Sequence, residues 1–145
     1  MLHIRPATAD DFSSLLACDP YAHAHAPRRT FLREKTAAGA VLLALRDGAA
    51  QGFVVKEPGF FGHEFISLVA VSAKARRNGV ALALLQAAHG RCATAKLFTS
   101  TNTSNRAAQA LFARAGFAPS GCVENLDPGD PELIFFKPAG PARRT

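Results

Sequence analysis

One stretch constrains this chain more than any other: an apolar, β-branched run, then a turn with two arginines and a glycine, then a second apolar run. The first run, Ile66-Ser67-Leu68-Val69-Ala70-Val71-Ser72, has the composition of a strand. The second, residues 80–88, is apolar nearly all round and reads as a buried helix. Between them stands Arg76-Arg77-Asn78-Gly79-Val80-Ala81. The first backbone N–H groups of a helix have no intrahelical partner and carry partial positive charge. Gly79 and the small Ala81 let a phosphate approach that backbone closely, and the arginines add full charges. The unit fits an anionic, nucleotide-like ligand. The hexad alone reads equally as a solvated basic helix start, but strand, basic glycine turn and buried helix in succession are much rarer.

At 145 residues the chain is long enough for one domain with a real core, and 48% hydrophobic with 19% charged residues is the balance of a soluble globular protein. The N-terminal Met-Leu-His-Ile-Arg-Pro has no signal-peptide pattern, and no apolar run approaches the ~20 residues of a membrane span. We therefore expect a cytoplasmic protein without a membrane partner. Cys18, Cys92 and Cys122 are scattered without metal or redox spacing, as core or semi-buried thiols in a reducing compartment. His23 and His25 alternate with alanines and lack a third ligand, so no metal is expected.

The net charge of +6 matters less than its distribution: residues 65–123 hold no Asp or Glu, and Glu124, Asp127, Asp130 and Glu132 follow close together. A positive middle beside an acidic loop suits an anionic cofactor next to a cationic substrate; a merely solvated surface is the alternative. Nucleic acid is not an expected partner, because no basic stripe is interleaved with exposed aromatics.

The remaining elements fall in order along the chain. Residues 2–5 read as a strand, and Asp10 or Asp11 can cap a first helix through Phe12, Leu15 and Leu16. Residues 20–29 read as a loop or a broken helix pair. Residues 40–45 and 51–56 read as strands joined at Asp47-Gly48, and residues 57–62 as a turn. Gly90 marks a helix stop, residues 97–101 a strand, and Asn105 the start of a helix ended by Gly116-Phe117. Two strands, near residues 120–124 and 133–137, bracket the acidic loop. The fold class is α/β (α+β): a single mixed, mostly antiparallel sheet of about seven strands with helices on both faces. It spans residues 1–138, with residues 139–145 a disordered basic tail.

Three segments together resemble the GNAT N-acetyltransferases over almost the whole chain. Residues 4–11, Ile-Arg-Pro-Ala-Thr-Ala-Asp-Asp, are similar to their opening strand and helix cap. Leu68-Val-Ala-Val71 with Arg76-x-x-Gly-x-Ala81 resembles their acyl-CoA motif, and Asn105-Arg-Ala-Ala-Gln-Ala-Leu-Phe-Ala-Arg-Ala-Gly-Phe117 their second motif. The resemblance implies transfer of an acyl group, usually acetyl, from coenzyme A to a primary amine. It places Val69, Ala70 and Val71 along the pantetheine arm, one backbone N–H polarising the thioester carbonyl. Backbone N–H groups of Arg76, Arg77, Asn78, Gly79, Val80, Ala81 and Leu82 would hold the pyrophosphate. Asn105 stands like the family asparagine that bonds the cofactor, with a plain helix cap as its rival role.

Phe112 stands beside the cofactor where the family often has a tyrosine that protonates the departing thiolate, and phenylalanine cannot donate a proton. Direct attack survives, because a thiol pKa of ~8.5 makes thiolate a tolerable leaving group. An amine with a pKa near ~10.4 must still lose a proton before attacking. Glu64, early on the central strand, is one candidate base and a surface acid is its alternative; strand parity sets it on the face opposite Phe65 and Ser67. Ser67 could relay a proton, and Glu124 is the second candidate base. His63 is a further titratable neighbour or simply solvated. Arg28 and Arg29 lie in the loop that, in this family, helps form the acceptor pocket.

The resulting expectation is an N-acetyltransferase using acetyl-CoA and an amine acceptor, a cationic small molecule or a protein amine, by direct attack in a ternary complex. A non-catalytic acyl-CoA sensor is the alternative. C-terminal edge strands leave a homodimer open.

Overall fold

The computed structural model describes residues 1–139; of the tail expected at residues 139–145, Ala139 is buried and donates its N–H to the Ala95 carbonyl at 2.8 Å, and the rest lies outside the described residues. Strands β1 (Leu2–Pro6), β2 (Val41–Arg46), β3 (Ala49–Phe60), β4 (His63–Val71), β5 (Lys96–Asn102), β6 (Ala118–Val123) and β7 (Glu132–Pro138) alternate with five helices. These are α1 (Phe12–Cys18), α2 (Tyr21–Ala24), α3 (Ala26–Ala37), α4 (Val80–Gly90) and α5 (Arg106–Arg114). The seven strands form one mixed sheet in the order β1-β2-β3-β4-β5-β7-β6, with β4 and β5 parallel. The broken helix pair at residues 20–29 is in fact the short α2 and the start of a twelve-residue α3. Pro27 lies in the first turn of α3, where its missing N–H costs nothing. The turn expected at residues 57–62 shrinks to Phe61 and Gly62, because β3 continues through Pro58 and Gly59 to Phe60. Its ladder with β2 ends at Val55, so the N–H that Pro58 lacks has no partner to lose on that side. Cys18 and Cys92 are buried, whereas Cys122 is exposed rather than semi-buried.

The chain divides into two compact units. The first comprises Met1–Lys56 and Leu68–Ala88. Alternate residues of β2 and β3, Val41, Leu43, Phe53 and Val55, are fully buried against Leu15, Ala22 and Leu32 of α1, α2 and α3. Each such side chain contributes about 1.5–3 kcal/mol. Gly52, on the other face of β3, lies under Leu84 of α4, so helices cover both faces here. Asp11 does not cap α1 with its side chain; it closes the 3-10 turn Ala9–Asp11 that leads into α1, its carboxylate accepting from the Thr8 N–H at 2.8 Å and from Arg5 at 2.8 and 3.0 Å. The Arg5 hydrogen bond is the main cause holding the Asp11 carboxyl at about 2.

The second unit comprises Glu57–Ser67 and the chain from His89 onward. Here β7 lies between β5 and β6, antiparallel to both. Phe112 of α5 packs against Phe117 and Phe135, and each of the three is at most 6% exposed. The buried Thr99 hydroxyl donates to the Ile66 carbonyl at 3.0 Å.

Candidate active site

The segment from the end of β4 into α4, Leu68–Ala88, lies in the first unit. Ser72 ends β4 and donates its N–H to the Gln51 carbonyl at 2.9 Å, which ties the strand end to β3. A single 3-10 turn, Ala73–Ala75, follows, and Arg76 leaves it extended. Arg77 then takes φ 68 and Gly79 φ 76, both in the left-handed region. Glycine adopts that conformation freely, but for arginine it costs about 1–2 kcal/mol, and such strain marks functional loops. Ala75 and Val80 are 2% and 1% exposed and pin the two ends, while Arg76, Arg77, Asn78 and Gly79 are all exposed.

The ladder of α4 begins with the Ala83 N–H on the Gly79 carbonyl at 3.0 Å. The N–H groups of Val80, Ala81 and Leu82 therefore have no intrahelical acceptor, and the first turn carries no acid. A Cβ built on Gly79 would meet nothing within 4 Å, so the space above this helix start is open. Loop, arginines and helix dipole together fit a pyrophosphate.

A residue that the sequence reading missed holds this arrangement. A Cβ on Gly52 would lie 2.5 Å from the Ala70 carbonyl oxygen and 3.3 Å from Leu84 Cδ1. Only glycine lets β3 approach the end of β4 and α4 this closely. The available signal was a glycine inside an apolar strand. The ladder between β4 and β5 covers only Glu64, Phe65 and Ile66, and β4 runs on beyond it through Val69, Ala70 and Val71, which are half-buried.

A sequence profile described as the acetyltransferase (GNAT) family matches residues 9–117. The chain belongs to the GNAT acetyltransferase family. A GNAT-family acetyltransferase structure from Bacillus cereus is 36% identical over 96% of this chain and 98% of its own, with a TM-score of 0.90. Ard1 from Thermoplasma volcanium, 18% identical over 95% and 97%, has the same fold at a TM-score of 0.81. So does the ribosomal-protein-S18-alanine N-acetyltransferase from Escherichia coli, 19% identical over 97% and 95%, at 0.76. No curated protein matches the chain. GNAT enzymes use acetyl-CoA as co-substrate, and this chain is accordingly an acyltransferase.

The structure brings Val69 to Leu82 together in the first unit and places the other GNAT site candidates in the second. Glu64 accepts from the Ala93 N–H at 3.3 Å, so its carboxylate has a structural partner. Ser67 and Glu124 are exposed. Asn105 caps α5, its Oδ1 accepting from the Ala108 N–H at 3.0 Å. Phe112 is 5% exposed, with Phe117 and Phe135 flanking its ring. Three of the four acids expected to attract a cationic acceptor hold the chain itself. Asp127 and Asp130 accept from Asn102 and Ser104, and Glu132 from Ser100. Among the described residues no helix is long and apolar enough to cross a membrane, and no cluster of His, Cys, Asp or Glu is placed to hold a metal ion.

Proposed function

We propose that this GNAT enzyme transfers the acetyl group of acetyl-CoA to a primary amine by direct attack in a ternary complex. The observation that carries the reading is the open start of α4, with Gly79 at φ 76, exposed Arg76 and Arg77 and three N–H groups without intrahelical acceptors. This start holds the pyrophosphate, and the backbone of Val69, Ala70 and Val71 runs along the pantetheine arm. One of those N–H groups donates to the thioester oxygen, where negative charge develops in the tetrahedral intermediate. The amine nitrogen forms the new N–C bond, the C–S bond breaks, and its electron pair leaves on sulfur. One proton leaves the ammonium for solvent before attack; the second, lost by nitrogen in the tetrahedral intermediate, balances the thiolate, and no phenol is needed to supply it.

Release of the coenzyme A thiol across a panel of amines tests the reading. Primary amines are expected to release thiol above the uncatalysed rate, and their tertiary analogues are not. Thiol release independent of the amine, or none with any amine, would contradict it.

A further inference from the structure

Two tight hairpins of the chain share one turn and differ in the residue at its tip. Asp47 and Gly48, between β2 and β3, have φ 52 and 79, and Phe61 and Gly62, between β3 and β4, have φ 50 and 81. Both central residues of such a turn lie in the left-handed region, where Asn, Asp and Gly are favoured and a bulky side chain is strained. Asp47 follows that rule and Phe61 breaks it. Phe61 is also 88% exposed, so neither backbone preference nor core burial accounts for it. A strained aromatic held open to water points to a contact made outside the chain's own fold.

Phe61 ends an aromatic row on one face of the second unit. Its ring meets Phe60 edge-on at 5.0 Å between centroids, and Phe60 packs on Phe65 at 4.8 Å and on Phe98 at 5.0 Å. Phe98 continues the row to Phe136 at 6.0 Å. Strand pairing sets the alignment, since Phe98 is the partner of Phe65 on β4 and of Phe136 on β7. On the opposite face of β5, Leu97 and Thr99 are buried, whereas Phe60, Phe65, Phe98 and Phe136 are only half-buried. With Phe61 they leave about 300–400 Å² of aromatic surface open, the size of a functional patch.

The two ends of this face carry opposite charges. Lys96 lies two residues before Phe98, on the same side of β5. Ser100 lies two residues after it, and its hydroxyl donates to Glu132 Oε2 at 2.7 Å. A hydroxyl leaves the carboxylate charge uncancelled, and among the described residues neither Lys96 nor Glu132 is in an ion pair. The edge strand β6 is the poorer surface for a second chain. Pro119 there lacks an N–H, and the ladder to β7 slips between Pro119 and Cys122.

We infer that this aromatic face pairs with the same face of a second copy of the chain, about a two-fold axis running across the strands. The strands of the two copies then run antiparallel, row lies on row with Phe61 closing its end, and each Lys96 faces the other copy's Glu132. One patch serves both partners, as an isologous contact requires. The aromatic surface is about half of the ~800 Å² that each partner gives to a stable interface, so the dimer is weak and reversible. Neither the α4 start nor Val69–Val71 takes part, so the inference stands apart from the acetyl-transfer reading.

Sedimentation velocity of the full chain across a range of about 5–500 µM tests it, with the parent expected to pass from monomer to dimer at a Kd of about 10–100 µM. Phe61→Asn gives the turn a residue it prefers. Measured at the dilute end, this variant should melt no lower than the parent, yet its dimer should be weaker by about tenfold or more. Lys96→Glu and Glu132→Lys should each weaken the dimer by about fivefold, and the two together should restore it. A lower melting temperature for Phe61→Asn would show that Phe61 serves the monomer's own fold and would overturn the inference. So would a parent chain monomeric throughout the range, assembly beyond the dimer, or Phe61→Asn dimerising like the parent. A double charge variant no tighter than the single ones would overturn it as well.

Discussion

Two helices of this chain start in opposite ways. At α5 the Asn105 side chain accepts from the Ala108 N–H, and Asp130 accepts from both the N–H and the hydroxyl of the preceding Ser104. That start is closed by the chain's own oxygens. At α4 the equivalent place holds Gly79, which has no side chain to cap with, behind an arginine at φ 68. A helix start left open, next to two exposed arginines and with no acid in its first turn, suits an anion supplied from outside the chain, as the proposed function requires. The contrast lies in a few side chains rather than in the helices, and for that reason it can be altered one residue at a time.

The largest change we expect is at Gly52, which sets the distance between β3 and the strand feeding the open start. Gly52→Ala should destabilise the protein by about 2–3 kcal/mol, read as a lower urea midpoint, because backbone must move to admit the methyl. Unchanged stability would mean that the close approach is not needed. Next comes the charge at the open start. Changing Arg76 and Arg77 together to alanine should weaken acetyl-CoA binding about tenfold and flatten its salt dependence, since both are exposed and screened. Equal salt dependence before and after would show that their charge serves something else.

The closed start offers the counterpart. Asn105→Ala should cost about 1 kcal/mol of stability, and Asn105→Asp, which keeps a cap oxygen, a few tenths at most. If the two variants behave alike in thermal unfolding, the cap is not what closes α5. The smallest effect belongs to Asp11, which closes the 3-10 turn leading into α1. Its carboxyl is held at about 2, below the ordinary ~3.9, chiefly by the Arg5 hydrogen bond. A depressed carboxyl stabilises the folded state above the unfolded pKa, and that contribution is lost as pH falls from about 4 to about 2. Partial exposure of Arg5 reduces the contribution to about 1 kcal/mol. Asp11→Asn should therefore lower stability near neutrality and narrow its gap from the parent chain at pH 2.

How much of this was legible in the sequence depended on whether the signal was local. The open start was, because Gly79 and the apolar run behind it are adjacent in the chain and each restricts the backbone by itself. The succession of strands and helices along the chain followed from turns and apolar runs in the same way, but the place of β7 between β5 and β6 did not. The length of α3 was not legible: Pro27 reads as a break until its place in the first helical turn is known. The role of Gly52 was hidden for a similar reason, since the carbonyl it must clear, that of Ala70, is distant in sequence. Asn105 had two roles on paper, and its three-dimensional partner, the Ala108 N–H, shows the cap. The acids of the C-terminal loop show the reverse hazard. Their charge was plain to read, but the hydroxyl and amide groups of Ser100, Asn102 and Ser104 that occupy them were not.

The central claim is that α4 is open because acetyl-CoA closes it. Its most direct test is calorimetric titration of acetyl-CoA into the parent chain, Gly79→Ala and Gly79→Glu. The added Cβ meets no atom, so Gly79→Ala should fold, lose about 1 kcal/mol to its φ of 76 and still bind. Gly79→Glu places a carboxylate at the helix start and should weaken binding about 100-fold or more while remaining folded. Equal affinity of all three proteins, or no binding by the parent chain, would contradict the claim.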